Sequence, residues 1–351
     1  MTTVAVIGCG RIANIAHFPA LTKLGDVRIK YACDIIKEKA EAIKNEYPTV
    51  ENVITDYNVA LRDEEVDAVY VLTPNYAHYT ITMDALRAGK HVFCEKPITV
   101  NYALSCEMAA EAEKQNKILN IGVCNRYQKS VELIHDKIAG GELGNVYHIH
   151  ISFRHFRSIP GLGGAFTTKS QSGGGVLIDW GIHFLDLALY AIGGAKLKNV
   201  TCDTYCELAK DMKAYKYKEM WAEDTADIEN GTNDVDDFVT GYVRTDKASI
   251  SFTGAWAQNV DVPEMYVDFL GDKAGVRLAY GDHFTMWSGE TLEGAVDTTE
   301  IPNMYYCEDK AFIESVNSGV KDKNNIVNIL ESAKLLDALY ESSAKKAEVS
   351  F

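Results

Sequence analysis

VAVIGCGRIANIAHFPAL, residues 4–21, is the stretch that decides the fold. The β-branched run Thr3–Ile7 predicts a short strand, and the residues after Gly8-Cys9-Gly10-Arg11-Ile12-Ala13 predict a helix over Asn14–Leu24. A G-x-G-x-x-A pattern between a strand and a helix has a specific use. The first glycine makes the tight turn, the second lets the backbone approach a pyrophosphate, and the small third residue lets helix and strand pack closely. Phosphates would then meet the free N–H groups of a helix N-terminus. A second strand, Val27–Cys33, ends in Asp34. An acid there can hold ribose hydroxyls and repels a 2′-phosphate. No arginine follows it directly, although Lys37 is near, so the reading is NAD in preference to NADP. These features predict an α/β, Rossmann-type dinucleotide-binding domain.

The alternation of strand and helix continues outward from this start. Helices are expected at Ile35–Glu46, Val59–Arg62 and Tyr79–Ala88, and strands at Asn52–Thr55, Ala68–Leu72 and His91–Cys94. Ligands of such sheets bind at the carboxyl ends of the strands. Two strand ends carry polar groups: Thr73-Pro74-Asn75-Tyr76-Ala77-His78 and Glu95-Lys96-Pro97. Asn75 and His78 could serve a ligand or simply cap the following helix. Lys96 could bind a substrate hydroxyl or, once desolvated, move a proton. Pro97 restricts Lys96 to an extended backbone and allows a cis bond. A helix over Asn101–Asn116, capped by Asn101, and a strand over Ile118–Val123 complete a first domain at residues 1–123.

The pattern then changes. A helix over Gln128–Ala139 ends at Gly140-Gly141. Long alternating runs follow at Val146–Phe156, Val200–Cys206, Phe238–Thr245, Ala248–Ala257, Tyr266–Leu270 and Gly275–Tyr280. They predict a second, α+β domain over 124–351 with a large open mixed or antiparallel sheet, covered by helices on one face. Within it, GGGVLIDWGIHFLDLALY at Gly173–Tyr190 reads as a helix through Ile178, Ile182, Leu185 and Leu189. Asp179 and His183 are then one turn apart on one face, an arrangement that orients an imidazole and tunes its basicity. A core histidine bonded to a surface acid is the plainer alternative. A metal site using Asp186 is a third, and no further His or Cys cluster is in view to complete it. A Gly-rich loop, RSIPGLGGAFTTKSQSGGG, precedes this helix and carries Arg157 and Lys169, each of which could equally be a solvated cation. Phe166 and Trp180 could offer an apolar face to a ring, and the loop's glycines could let it close over a ligand. Residues 210–234 form a polar insertion read as a hairpin tip or lid.

The formal net charge of −15 over 351 residues makes nucleic acid and anionic membranes poor partners. No apolar run reaches the length of a membrane span, and the Met1 end runs into a strand without a signal-like segment. The eight cysteines are scattered, several of them in or beside expected strands (Cys33, Cys94, Cys124). Reduced, buried thiols in a cytoplasmic protein are expected. Cys202 and Cys206 have no partner pair that would make a metal site, and no metal is expected.

Taken together, GCGRIA at 8–13, TPNYAH at 73–78, EKP at 95–97, NRY at 125–127 and DWGIH at 179–183 resemble the Gfo/Idh/MocA family of NAD(P)-dependent oxidoreductases. The resemblance implies that Lys96, Asp179 and His183 are catalytic. It implies that Gly8, Gly10, Arg11, Ile12, Asp34, Thr73, Asn75, His78, Glu95 and Lys96 surround NAD. Arg126, Arg157, Lys169 and Trp180 join the catalytic three as expected substrate contacts. The resemblance further implies a sugar, cyclitol or glycoside substrate, a homo-oligomer built on the open face of the second sheet, and a C-terminal helix, 325–345, that returns to the first domain. The expected reaction is hydride transfer between nicotinamide and a secondary hydroxyl or ketone. Two alternatives stand beside it. One is redox-neutral cleavage of a glycoside with recycled NAD. The other is a non-catalytic, NAD-dependent sugar sensor.

Overall fold

The computed structural model describes residues 1–281, 283–288 and 303–351. The chain divides into two compact units, Met1–Tyr127 with Pro302–Leu330, and Gln128–Ile301 with Glu331–Phe351.

The first unit is built on six strands: β1 (Thr2–Ile7), β2 (Val27–Cys33), β3 (Asn52–Ile54), β4 (Ala68–Val71), β5 (His91–Glu95) and β6 (Leu119–Gly122). All neighbours pair in parallel, in the order β3-β2-β1-β4-β5-β6. The strand order reverses between β1 and β4, which opens a ligand-binding crevice at their carboxyl ends. Strands buried on both faces explain the continuous apolar runs VAVI and AVYV. The helix expected after the glycines is irregular. Ala13–His17 is a π-turn, and Phe18–Leu21 continues as an α-helix. Pro19 has no N–H to return to the preceding turn, and the Thr22 hydroxyl caps Phe18 O at 2.7 Å. Asn101 caps its helix as expected, accepting from the Leu104 N–H at 3.0 Å. A helix over Met304–Ser318, in the range expected to belong wholly to the second domain, instead seals this unit. Its Phe312 and Ile313 enter the core formed by Val6, Phe18, Tyr70 and Phe93.

The second unit holds a mixed sheet of eight strands: β7 (Val146–Arg154), β8 (Leu197–Tyr205), β9 (Phe238–Thr245), β10 (Ser249–Ala255), β11 (Glu264–Gly271), β12 (Gly275–Ala279), β13 (His283–Trp287) and β14 (Val349–Ser350). The order is β13-β12-β11-β7-β10-β9-β8-β14, antiparallel throughout except for the parallel pair β7 and β10. One face, through Ile149, Ile151, Phe153, Val239, Ile250, Phe252, Val267 and Phe269, packs in one core with Val131, Ile134, Ile182, Leu185, Leu335 and Leu339 from helices. The segment expected as one helix over 325–345 is divided. A 3₁₀ turn at Ile326–Asn328 belongs to the first unit, and the α-helix that runs on to Lys345 packs, from Glu331 onward, in the second. The hydroxyls of Ser342 and Ser343 accept the β8 N–H groups of Cys202 and Thr204 at 3.0 and 2.9 Å, which ties that helix to this sheet.

Candidate functional site

In the first unit, the turn after β1 is shaped for a dinucleotide. Gly8 sits at φ +100° with the Leu72 carbonyl 2.5 Å from where a Cβ would stand, so only glycine makes this turn. Gly10 has nothing within 4 Å of that position, leaving its backbone open to a close-lying group. Asn14 pins the loop by donating to Gly10 O at 2.8 Å. Asp34 is fixed by two backbone donors: the Cys9 N–H reaches Oδ2 at 2.9 Å and the Ile36 N–H reaches Oδ1 at 2.8 Å. Each oxygen retains a lone pair for a ribose hydroxyl. Lys37 is exposed and paired with Glu41 at 2.9 Å. Beside β4, the buried Thr73 Oγ1 has no partner among the described residues. An open glycine backbone, two positioned acceptors and an orphaned hydroxyl fit a dinucleotide. Arg11 is exposed, Ile12 is half-buried, and Asn75 opens the helix Asn75–Arg87.

Three residues expected at the ligand are instead turned into the protein. His78 is fully buried, one ring nitrogen 2.8 Å from Pro97 O and the other 2.8 Å from Thr73 O. Burial pushes its pKa down, against the two carbonyls. It joins the two polar strand ends. Glu95 is buried, bonded to the His17 ring at 3.1 Å and to the Lys96 N–H at 3.1 Å. Arg126 is 4% exposed and donates to the carbonyls of Lys323 and Asn328 at 2.7 and 3.0 Å, so its charge holds the 323–328 turn. Lys96 is half-buried at the end of β5 and precedes a cis peptide bond to Pro97.

In the second unit, the stretch read as one helix begins as a π-turn, Leu177–Gly181, and becomes α-helical at Ile182–Ala191. Asp179 and His183 straddle that junction, both half-buried. π-turns of this kind recur at functional sites. The turn is held from a distance by Asp236, which is buried. Its carboxylate accepts the N–H groups of Gly175 and Leu177 at 2.8 and 2.9 Å and the Tyr340 hydroxyl at 2.9 Å. Asp186 is fully buried and accepts from the Ser332 hydroxyl at 2.7 Å, which commits it to the core and not to a metal.

The loop before this helix differs from the expectation. Cβ atoms at Gly163, Gly164 and Gly175 would lie 2.1, 2.2 and 1.9 Å from the carbonyl oxygens of Asp227, Thr225 and Asp236. These glycines therefore admit a second backbone: the 210–234 insertion lies against Gly163 and Gly164, and Asp236, just beyond it, against Gly175, so the insertion is not a free hairpin tip. Gly161 N–H donates to Trp221 O and Asp227 N–H to Leu162 O, both at 2.9 Å. Arg157, at φ 53°, lies against the Tyr215 ring at 5.4 Å and donates to Asn259. Lys169 is exposed, with its backbone N–H on Asp234 at 2.7 Å. Trp180 is half-buried with its ring edge-on to His155, and Phe166 is edge-on to Trp221.

The sequence reading missed His17, Asp309, Asp236 and Tyr340. None carries a local signal, because each acts on a partner at least 59 positions away. All eight cysteines are free thiols, and burial pushes Cys33 and Cys202 each up to about 12. Among the described residues, no helix is long and apolar enough to cross a membrane.

A parallel sheet with this turn and this acid defines a dinucleotide-binding class, and comparison with known proteins places it among NAD-binding oxidoreductases. Residues 2–123 match the family model described as an oxidoreductase family with an NAD-binding Rossmann fold, and residues 131–277 match the GFO/IDH/MocA C-terminal domain. The chain belongs to the Gfo/Idh/MocA oxidoreductase family. It is 30% identical over 290 residues to D-glucoside 3-dehydrogenase of Escherichia coli K12, covering 82% of this chain and 80% of that one. It is also 30% identical over 157 residues to inositol 2-dehydrogenase of Salmonella typhimurium LT2, covering 44% and 46%. Among solved structures, levoglucosan dehydrogenase in complex with NADH and levoglucosan aligns over 99% of both chains with TM-score 0.84 at 19% identity. Aldose-aldose oxidoreductase of Caulobacter crescentus aligns over 100% and 99% with TM-score 0.84 at 21% identity. At those identities the likeness is one of fold.

Proposed function

We propose that the protein is an NAD-dependent dehydrogenase that oxidises a secondary ring hydroxyl of a glucoside, sugar or cyclitol, or reduces the corresponding ketone. The observation that carries this reading is the joint presence of Lys96 at a β-strand end and of Asp179 and His183 across a π-to-α junction, in a family of oxidoreductases. The glucoside dehydrogenase that matches four fifths of its own length favours a glucoside among the substrates.

The turn at Gly8–Ala13, Asp34 and Thr73 would hold the dinucleotide. Bound NAD supplies the hydride acceptor at its nicotinamide. His183 takes the hydroxyl proton in oxidation and returns it in reduction. Asp179, one turn back, orients the ring and stabilises its charged form. Lys96 binds the reacting oxygen, and Pro97 keeps its backbone extended. Trp180 lies beside Asp179 in sequence and can offer an apolar surface to a sugar ring. A sensor would have no use for a proton relay.

We also propose a homo-oligomer that uses the open face of the second sheet. That face carries Tyr242, Tyr266 and Trp287 among His148, His150 and Arg277, an aromatic and polar mixture common at interfaces. A cytoplasmic, reducing setting fits the free thiols.

The test is NADH formation with a panel of glucosides and cyclitols. His183→Ala should lower turnover by about 10² or more, the usual scale for a general acid–base group, with NADH affinity little changed. Near-normal turnover in this variant would refute the assignment. Glycoside cleavage without net NADH would move the protein to the redox-neutral reading.

A further inference from the structure

Behind the end of β5 lies a buried ionic row that the chemistry above does not use. His17 is fully buried. Its Nδ1 lies 2.9 and 3.2 Å from the two oxygens of Asp309, which is also fully buried, and its Nε2 lies 3.1 Å from Glu95 Oε1. The other oxygen of Glu95 accepts the N–H of Lys96 at 3.1 Å. Across the sheet, a Cβ at Gly122 would stand 2.5 Å from Glu95 Oε1, so the Glu95 side chain occupies the space that glycine leaves.

A ring with a carboxylate at each nitrogen donates from both, and only the imidazolium can do so. Burial alone would push His17 down, but the charge and hydrogen bonds of Asp309 and Glu95 outweigh it and raise the group to about 10. Burial raises Asp309 as well, against the charge and hydrogen bond of His17. The other titratable groups around the ring are also raised. Glu308, next to Asp309, is pushed well up by burial and then by Glu95, and its Oε1 accepts from Asn324 at 2.7 Å. Tyr70 is raised by burial, Tyr305 chiefly by Cys124, and Cys124 itself by burial. Phe93 closes the ring's edge at 5.1 Å. One cation therefore serves two carboxylates in a site without water-accessible surface at its centre.

We infer that His17 is a positioning residue for Lys96: held by Asp309, it locks the Glu95 carboxylate, which in turn fixes the backbone from which Lys96 projects. The inference rests on reading Lys96 as the group that binds the reacting oxygen. Removing His17 would leave a buried carboxylate uncompensated and free to rotate off the Lys96 N–H. Lys96 would then approach its oxygen from a displaced backbone, and misplacement of this kind is felt in turnover more than in binding.

The experiment compares His17→Gln, His17→Leu, Asp309→Asn and Lys96→Met with wild type, using the panel glucoside or cyclitol that reduces NAD fastest. His17→Gln keeps a donor nitrogen for one carboxylate only, and His17→Leu keeps none. Losses in kcat should therefore be graded, about 10-fold and about 100-fold, with KM and NADH affinity within about twofold of wild type. Asp309→Asn removes one of the two charges that raise His17. It should bring the alkaline fall of kcat down by about one pH unit or more. Wild-type kcat and pH profile in the His17 and Asp309 variants, with Lys96→Met inactive, would overturn the positioning role and leave the proposed function standing. Full turnover by Lys96→Met would instead remove the proposed function. The native protein gives an independent measurement that needs no variant. With ¹⁵N-labelled histidine, at least one of the nine imidazoles, the ring with a carboxylate at each nitrogen, should remain doubly protonated at pH 8.5. Nine neutral rings would overturn the inference even if every variant failed to fold.

Discussion

Asp34 shows how a residue is prepared before its ligand arrives. Both carboxylate oxygens are already bonded to backbone N–H groups, of Cys9 and Ile36, so the side chain need not lose rotamer freedom on binding. Asp34→Ala should therefore weaken NADH by about 1.5–3 kcal/mol, the cost of losing a charged hydrogen bond, and weaken NADPH less. Fluorescence titration of both nucleotides checks this; tighter NADPH binding by wild type would reverse the reading of Asp34. Asp34 and Gly8 were legible because their partners lie at a fixed distance along a strand–turn–helix unit. Glu95, His78 and Arg126 stand in the same motifs, yet their side chains turn inward to His17, to Pro97 and Thr73, and to Lys323 and Asn328. A motif gives the position of a side chain along the chain, and the direction it points depends on which distant carbonyl or imidazole has packed beside it.

At the scale of elements, apolar spacing marked the helix carrying Asp179 and His183, but the π-turn at its start left no trace in that spacing. The turn depends on Asp236, on the far side of the insertion, and on Tyr340, in the last helix. Asp236→Ala would strand three buried donors: the N–H groups of Gly175 and Leu177 and the Tyr340 hydroxyl. Each unsatisfied buried group costs about 1–3 kcal/mol, so urea unfolding should show a loss of at least about 3 kcal/mol. A change below about 1 kcal/mol would mean that another acceptor replaces Asp236. The Gly-rich loop teaches the converse lesson. Its glycines suggested motion, whereas those at 163, 164 and 175 are there because a carbonyl of the 225–236 segment lies where a Cβ would be. Glycine marks a need for space or for positive φ, and only the folded neighbours say which.

At the scale of the whole molecule, each unit has its own sheet and its own core, and the chain visits the first unit twice. The open sheet face of the second unit gives the last prediction. If it joins two copies, Tyr242→Glu combined with Trp287→Glu should halve the mass measured by sedimentation, at little cost to folding, since both side chains are substantially exposed. An unchanged mass would place the interface elsewhere. By itself the sequence determined the parallel α/β start, the mixed sheet that follows and the class of cofactor. Each of these is written in short-range periodicity or in a motif whose parts are close along the chain. Only the tertiary structure decided that residues 303–330 return to the first unit, that the insertion locks the Gly-rich loop, and that His17 stands between Glu95 and Asp309. The reason is physical. His17 and Asp309 are 292 positions apart, and a buried charge finds its partner by the packing of whole elements, which no local pattern records.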